Sequence, residues 1–367
     1  MIGIIVSGGI SFLVVIFSTL IGVNFFRSRN IGQEIQEEVN FHDHKKGTPT
    51  MGGLFIVFGT IAGYSLSHIN FWTIGEGFKV ELTSMNLNVI LLFVLAFLMA
   101  MVGFIDDYLK VKAGRNLGLK PTQKFALQFL IGCVSAYYFI FLNYDSNFYF
   151  FSGLGFDIGI VKWLIIIFFI IGITNSVNFT DGLDGLVAGS SAISFGGILI
   201  ISFWIYRHPT YYSNFIGDDF LTVELSLLIS AVAGACLGFL WWNTNPAKII
   251  MGDVGSHFLG SLFPLILFAL GADGLIFFFC FLFILEGVSV VVQILSFKYR
   301  QKRVFKMAPI HHHFEMSNWA ETTIIVRFWI INGIAVVIGL GLFYADYVLL
   351  VNEVFTDTWI RLNRTRY

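Results

Sequence analysis

Two adjacent carboxylates, Asp106 and Asp107, stand in the stretch GFIDDYLK, just ahead of Lys110. A third acid, Asp253, is set among glycines in NPAKIIMGDVGS, ten residues after Asn243. The stretch TNSVNFTDGLDGL spaces Asn175, Asn178, Asp181 and Asp184 three residues apart, a spacing that keeps side chains on one face of a helix. Acids beside lysines suit a magnesium-bound diphosphate, because Mg2+ takes one or two carboxylates and completes its shell with phosphate oxygens and water. The glycines flanking Asp253 let backbone amides approach a phosphate closely. No P-loop or dinucleotide fingerprint is present, so a folded nucleotide-binding domain is not indicated.

Three consecutive histidines, His311, His312 and His313, lie in MAPIHHHFE behind the basic run Lys298, Arg300, Lys302, Arg303 and Lys306. Neighbours on a helix diverge by ~100°, so three in a row do not converge on one ion. They also lack the i,i+4 pairing of zinc-binding helices. Imidazoles next to so much positive charge read as hydrogen-bond donors to an anion or sugar. Taken singly, each of these motifs is also what a solvated helix end looks like.

The elements that must position these residues are membrane helices. Of the 367 residues, 56% are hydrophobic and only 12% charged, against about 25% charged in a soluble domain. Apolar stretches of ~20 residues recur, long enough to cross a ~30 Å hydrocarbon core, and they do not alternate as barrel strands do. The expectation is an all-α polytopic membrane protein, a single integral-membrane domain over 1–367 with ten spans. These fall near 3–26, 50–69, 88–106, 122–143, 161–178, 183–205, 224–241, 256–272, 275–297 and 322–345. The first segment has no basic leader and reads as a retained helix. Cys133, Cys236 and Cys280 sit in apolar segments without ligand or disulfide spacing. A net charge of −1 gives no sign of nucleic-acid binding.

Sidedness follows from the lysines and arginines. The loops after spans 1, 3, 7 and 9 hold fifteen of them: Arg27, Arg29, Lys45, Lys46, Lys110, Lys112, Arg115, Lys120, Lys124, Lys248 and the run 298–306. The opposite side has Lys79, Lys162, Arg207 and three in the tail. The basic face is therefore expected in the cytoplasm, with both termini outside. Active-site loops near 27–49, 106–124, 175–184, 242–256 and 298–321 then share one membrane face. Glu286 is the exception. It lies inside span 9, where an ionisable group is costly and marks either function or a helix-packing hydrogen bond.

The series GTPTMGG, DDYLK, NLGL, PTQK, NFTDGLDGL, NPAKIIMGDVGS, EGVSVVVQ and MAPIHHHFE resembles the polyprenyl-phosphate N-acetylhexosamine-1-phosphate transferases, in the family's order and over essentially the whole chain. PIHHHFE points to the branch whose sugar carries a peptide. The resemblance implies ten helices, a homodimer in a bacterial inner membrane, a Mg2+ cofactor and the membrane lipid undecaprenyl phosphate as acceptor. The donor is then UDP-MurNAc-pentapeptide and the products lipid I and UMP. It also implies that Asp253 is the metal ligand, that Asp106 and Asp107 are the catalytic acidic pair, and that His311 is an essential histidine. Lys110, Asn175, Asn178, Asp181, Asp184, Asn243, His312 and His313 become substrate-binding residues. One position departs: many members carry an aromatic before MGD to stack on uracil, and this chain has Ile250. Two other readings stay open, transfer from UDP-N-acetylglucosamine and an ion-coupled transporter.

Overall fold

A computed structural model of the chain describes residues 2–29, 32, 47–73, 77–113, 118–143, 147–151, 155–212 and 219–364. Lys45, Lys46, Arg115 and most of the segment 27–49 lie outside the described residues. The helices are α1 (Ile2–Ser28), α2 (Gly53–Leu66), α3 (Leu87–Ala113), α4 (Pro121–Tyr137), α5 (Val161–Thr180), α6 (Leu186–Arg207), α7 (Pro209–Tyr212), α8 (Asp219–Asn243), α9 (Gly252–Ala269), α10 (Ile276–Phe279), α11 (Phe281–Arg300), α12 (Ile310–Glu315) and α13 (Glu321–Arg364). Two small antiparallel hairpins, β1 (Ile69–Thr73) with β2 (Gly77–Leu82) and β3 (Asn147–Tyr149) with β4 (Gly155–Asp157), connect helices at the end away from the acids. Among the described residues, eight helices are long and apolar enough to cross a membrane. The chain is an all-α polytopic membrane protein.

Eight of the ten expected spans fall on helices of spanning length, with shifted boundaries, while spans 2 and 4 fall on the shorter α2 and α4. Span 3 runs on to Ala113, so Asp106, Asp107 and Lys110 lie in helix and not in a loop. Asn175 and Asn178 belong to α5, and Asp253 to the first turn of α9. Span 9 is interrupted at Cys280, where α10 ends and α11 begins. Span 10 does not stop at 345, since α13 continues to Arg364.

The helical stripe expected through Asp181 and Asp184 is corrected too. Helix α5 ends at Thr180, and residues 181–185 form a turn. Asp181, at ψ 46°, has already left helical geometry, so the stripe breaks between the two acids, and Gly185, left-handed at φ 79°, then starts α6 in a new direction.

Helix α9 is the centre of the bundle. Every residue from Val254 to Ala269 is buried, with α3 and α5 packed along it. Helix α8 is similarly enclosed by α1, α6 and α2. The rim helices invert the pattern of soluble proteins. The inward stripe of α1 is Ser7, Ser11, Val15, Thr19, Gly22, Val23 and Phe26, while Ile5, Leu13, Phe17 and Ile21 face outward. Small inward residues let backbones approach where lipid removes any hydrophobic drive to associate. Ser7 Oγ accordingly donates to Leu227 O at 2.8 Å on α8.

The end away from the acids is fastened by two buried pairs of ionisable side chains. Lys162 Nζ lies 3.4 Å from Asp273 Oδ2, and His68 Nε2 lies 2.9 Å from Glu224 Oε2. Tyr64 also donates its hydroxyl hydrogen to Glu224. Charges this deeply buried persist only when paired.

Candidate active site

The opposite end gathers the chemistry. A buried strap brings it together: Ile250 N donates to Pro49 O at 2.8 Å, Gly52 N to Ile250 O at 2.9 Å, and Gly53 N to Met251 O at 2.8 Å. The segment GTPTMGG is thereby sewn to MGD, so that the start of α2 meets the start of α9. Gly252 makes the corner. Its φ is +74°, and a Cβ there would lie 2.6 Å from Asp107 Oδ2, so a larger residue would be both strained and in collision.

Two carboxylates from elsewhere then receive the free amides at the beginning of α9. Gly252 N donates to Asp181 Oδ2 at 3.1 Å and Val254 N to Asp107 Oδ2 at 3.2 Å. The first amides of a helix lack intrahelical acceptors and carry partial positive charge, so acids are favoured there.

Asp106, Asp107 and Asp253 offer ligand oxygens within 4.8 Å of one another. Lys110 Nζ sits among them, 2.6 Å from Asp106 Oδ2, 3.0 Å from Asp253 Oδ2 and 3.8 Å from Asp107 Oδ1. Lys124, from the start of α4, approaches Asp253 Oδ2 at 2.7 Å and Asp106 Oδ2 at 3.7 Å. Asn178 Nδ2 donates to Asp253 Oδ1 at 2.7 Å and to Ser256 Oγ at 3.0 Å, and Leu119 N donates to Asp106 Oδ1 at 2.7 Å. Asp181 sits in the turn beside them. Burial, reinforced by the nearby carboxylates of Asp253 and Asp107, holds its carboxyl well above the usual range.

The remaining residues are placed differently. Asn175 faces Gln128 on α4, below the carboxylates. Asp184 and Asn243 form a clamp. Asp184 Oδ2 accepts from Ala247 N at 2.9 Å and Asn245 Nδ2 at 3.3 Å, while Asn243 accepts from Gly185 N at 3.0 Å and donates to Ile249 O at 2.9 Å. This pins the α5–α6 turn to the loop that leads to MGD.

The three histidines of α12 meet different partners, although the rings of His311 and His312 pack at 4.1 Å. His311 is fully buried against Glu286, His312 Nδ1 pairs with Glu315 Oε2 at 2.6 Å, and His313 Nδ1 accepts from Lys306 N at 3.1 Å. His311 also packs on Gly182, where a Cβ would collide with its Nε2. It therefore abuts the turn that carries Asp181.

Lys124, Gln128 and His257 belong to the site or its floor without having been singled out by type and spacing. A signal existed in the i,i+4 relations of Lys124 to Gln128 and of Asp253 to His257. Glu321, which accepts from Asp184 N at 3.0 Å, gave none.

Carboxylates and ammonium groups converging from several helices at one end of an apolar bundle define a membrane-embedded transferase. Residues 89–271 match the family model of glycosyl transferase family 4, and residues 45–57 match signature 1 of the phospho-N-acetylmuramoyl-pentapeptide-transferases. A phospho-N-acetylmuramoyl-pentapeptide-transferase of Frankia casuarinae is 40% identical over 360 residues, covering 94% of this chain and 98% of the relative. That of Corynebacterium efficiens is 40% identical over 370 residues, covering 95% and 98%. That of Mycobacteroides abscessus is 38% identical over 365 residues, covering 95% and 99%. The chain belongs to the phospho-N-acetylmuramoyl-pentapeptide-transferase family.

Proposed function

We propose that this protein transfers phospho-N-acetylmuramoyl-pentapeptide from UDP-MurNAc-pentapeptide to undecaprenyl phosphate, giving lipid I and UMP. The observation that carries the reading is the convergence of Asp106, Asp107 and Asp253 with Lys110 and Lys124 at one end of the bundle. A transporter would place its acids near the bilayer midplane. Here they crowd helix ends, which favours chemistry at the interface on a substrate that is half lipid and half nucleotide. The basic residues of the same end make it the cytoplasmic face of a bacterial inner membrane. The active-site segments near 27–49, 106–124, 175–184, 242–256 and 298–321 of one integral-membrane domain all belong to that face, and the protein acts as a homodimer.

The donor set fits Mg2+. Three hard oxygen ligands lie within one ion's reach, and the two lysine ammonium groups drawn between them mark a locus that attracts positive charge. Asp253 would be the principal ligand, with Asp106 and Asp107 beside it. Bound there, Mg2+ supplies neutralisation of the diphosphate charge that otherwise repels an anionic nucleophile.

The chain's own groups do the rest. Lys110 and Lys124 balance charge that develops on the phosphates. Asp106 is gripped by Lys110 and Leu119 N, whereas Asp107 lies farther from that ammonium and is the better proton acceptor. Asp107 takes the proton of the lipid phosphate as its oxygen bonds to the sugar-linked phosphorus. The bridge to the uridine-linked phosphorus breaks, and UMP leaves with the bonding electrons. Asn178 fixes Asp253 from the side. Lys110, Asn178 and Asp181 line the phosphate end, with Asn175, Asp184 and Asn243 supporting the nucleotide side. His311 meets the sugar-phosphate portion, and His312 and His313 extend contacts toward the sugar and peptide.

The test is transfer by the purified protein from defined UDP-sugars to undecaprenyl phosphate. Lipid I and UMP from UDP-MurNAc-pentapeptide, with UDP-N-acetylglucosamine unused, is the expected result. Efficient transfer from UDP-N-acetylglucosamine would move the protein to another branch of the same chemistry.

A further inference from the structure

One turn beneath the carboxylates, three helices are joined by side chains of which two, Gln128 and His257, have no part in the mechanism. Asn175 Nδ2 on α5 donates to Gln128 Oε1 on α4 at 2.8 Å, and Gln128 Nε2 returns a bond to Asn175 Oδ1 at 3.3 Å. Gln128 Nε2 also lies 3.0 Å from Nε2 of His257 on α9. Gln128 and His257 are at most 1% exposed, so solvent cannot replace these bonds.

The orientations follow from one another. Asn175 Nδ2 has a second acceptor in Ile171 O at 2.8 Å, and a carbonyl can face only the amide's nitrogen side. That fixes Asn175, which presents Nδ2 and Oδ1 to Gln128 and so fixes the glutamine amide. The second Gln128 hydrogen then points at His257 Nε2, which must accept it. His257 is consequently neutral, with its hydrogen on Nδ1.

Every member sits one turn from a residue of the site. Gln128 is four residues after Lys124, His257 four after Asp253, and Asn175 three before Asn178. Residues so spaced share a helix face. The three partners above are the ones whose polar atoms meet at Asp253, at 2.7 Å from Lys124 and 2.7 Å from Asn178.

We propose that Gln128, Asn175 and His257 form a positioning network that sets the axial and rotational register of α4, α5 and α9. It thereby holds Lys124, Asn178 and Asp253 in reacting geometry. Neither Gln128 nor His257 needs to touch substrate. Displacements near 1 Å cost up to ~10²-fold in rate, so such a network acts on turnover more than on binding.

The inference rests on the proposed transfer reaction, and two readouts separate the failure of one from the failure of the other. The first is kinetic. His257→Leu, which keeps bulk and loses the acceptor, should lower kcat by about tenfold to a hundredfold, with KM for UDP-MurNAc-pentapeptide and the melting transition unchanged. His257→Gln, which returns an acceptor at similar reach, should recover most of the rate. Gln128→Leu should match His257→Leu, and the double variant should be no worse than either. Unchanged kcat in a folded His257→Leu protein, or a loss of rate that merely follows a loss of melting temperature, would overturn the network. The second readout needs no turnover. Nitrogen-15 NMR of histidine-labelled protein in lipid should show the His257 signal, assigned by its loss in His257→Leu, as neutral with hydrogen on Nδ1. That signal should shift in Gln128→Leu. An imidazolium or the opposite tautomer would refute the proposal even if the wild type proved inactive on every UDP-sugar.

Discussion

His311 Nδ1 lies 3.1 Å from Glu286 Oε1, and neither side chain exposes any surface. The carboxylate of α11 thus faces one ring nitrogen, while the other abuts Gly182, next to Asp181. An acid inside a span, unexplained by sequence spacing, has as its partner the first histidine of the triplet. The two groups touch without hydrogen-bond alignment, so the acid acts on the ring through close packing and its electric field.

Glu286 and His311 should therefore behave as one unit. His311→Ala is expected to lower kcat by at least ~10²-fold, in the range of acid–base contributions. Glu286→Gln should lower it in the same direction by a smaller factor, and Glu286→Gln/His311→Ala should be no worse than His311→Ala alone. Steady-state rates on all three decide it. A Glu286→Gln protein with wild-type kcat would show that the pairing is packing only.

Asp253→Asn should abolish turnover while the protein still inserts and purifies. The amide weakens a hard-cation site and releases Lys124 and Lys110 from their shared carboxylate. EDTA should silence the wild type and Mg2+ restore it. Near-normal activity of the variant at ordinary Mg2+ would remove Asp253 from the metal site.

Asp106 and Asp107 should not be interchangeable, because they serve different partners, Leu119 N and Lys110 for one and Val254 N for the other. Alanine at either is expected to cut kcat by ~10²-fold or more. Binding of UDP-MurNAc-pentapeptide, measured by calorimetry, should survive better in Asp107→Ala. Equal loss of binding and rate in both variants would mean a purely positional role for the pair.

A carboxyl whose folded-state pKa is raised binds its proton more tightly when folded. Its ionisation therefore costs stability, a cost absent below the unfolded value near 4 and growing as pH rises toward the folded value. Asp181 is in this position. Asp181→Asn keeps an acceptor for Gly252 N and removes the buried charge, so in EDTA it should melt higher than wild type at neutral pH. The gap should close as pH falls toward about 4, and activity should drop. Lower stability of the variant at every pH would contradict this account.

Sidedness is open to labelling once Cys133, Cys236 and Cys280 are replaced. Cysteines at Lys112 and Lys302, both exposed, should react with impermeant thiol reagents only from the cytoplasm, and one at Asn147 only from outside. Matching reactivity of all three would break the topology.

Hydropathy and motif order alone were enough to reveal a polytopic helical bundle, because a span must be apolar along its whole length whatever it packs against. Loop charge added an expectation of which motifs share a membrane face, and the labelling experiment tests it. Asp106, Asp107, Lys110 and Asp253 could be picked out because several polar motifs crowd the ends of apolar runs together, although each alone would fit a solvated helix end. The partners were not legible. Glu286 and His311 are 25 residues apart in the chain, and Gln128, Asn175 and His257 span more than a hundred. Contacts between helices depend on the rotation and depth of each, which periodicity does not set in segments that are apolar all round. The same cause undid the single stripe through Asp181 and Asp184: helix α5 ends at Thr180, and the turn after it carries two residues of one motif toward different neighbours. Which residues are chemically capable was written in their types. Which of them meet was decided by packing.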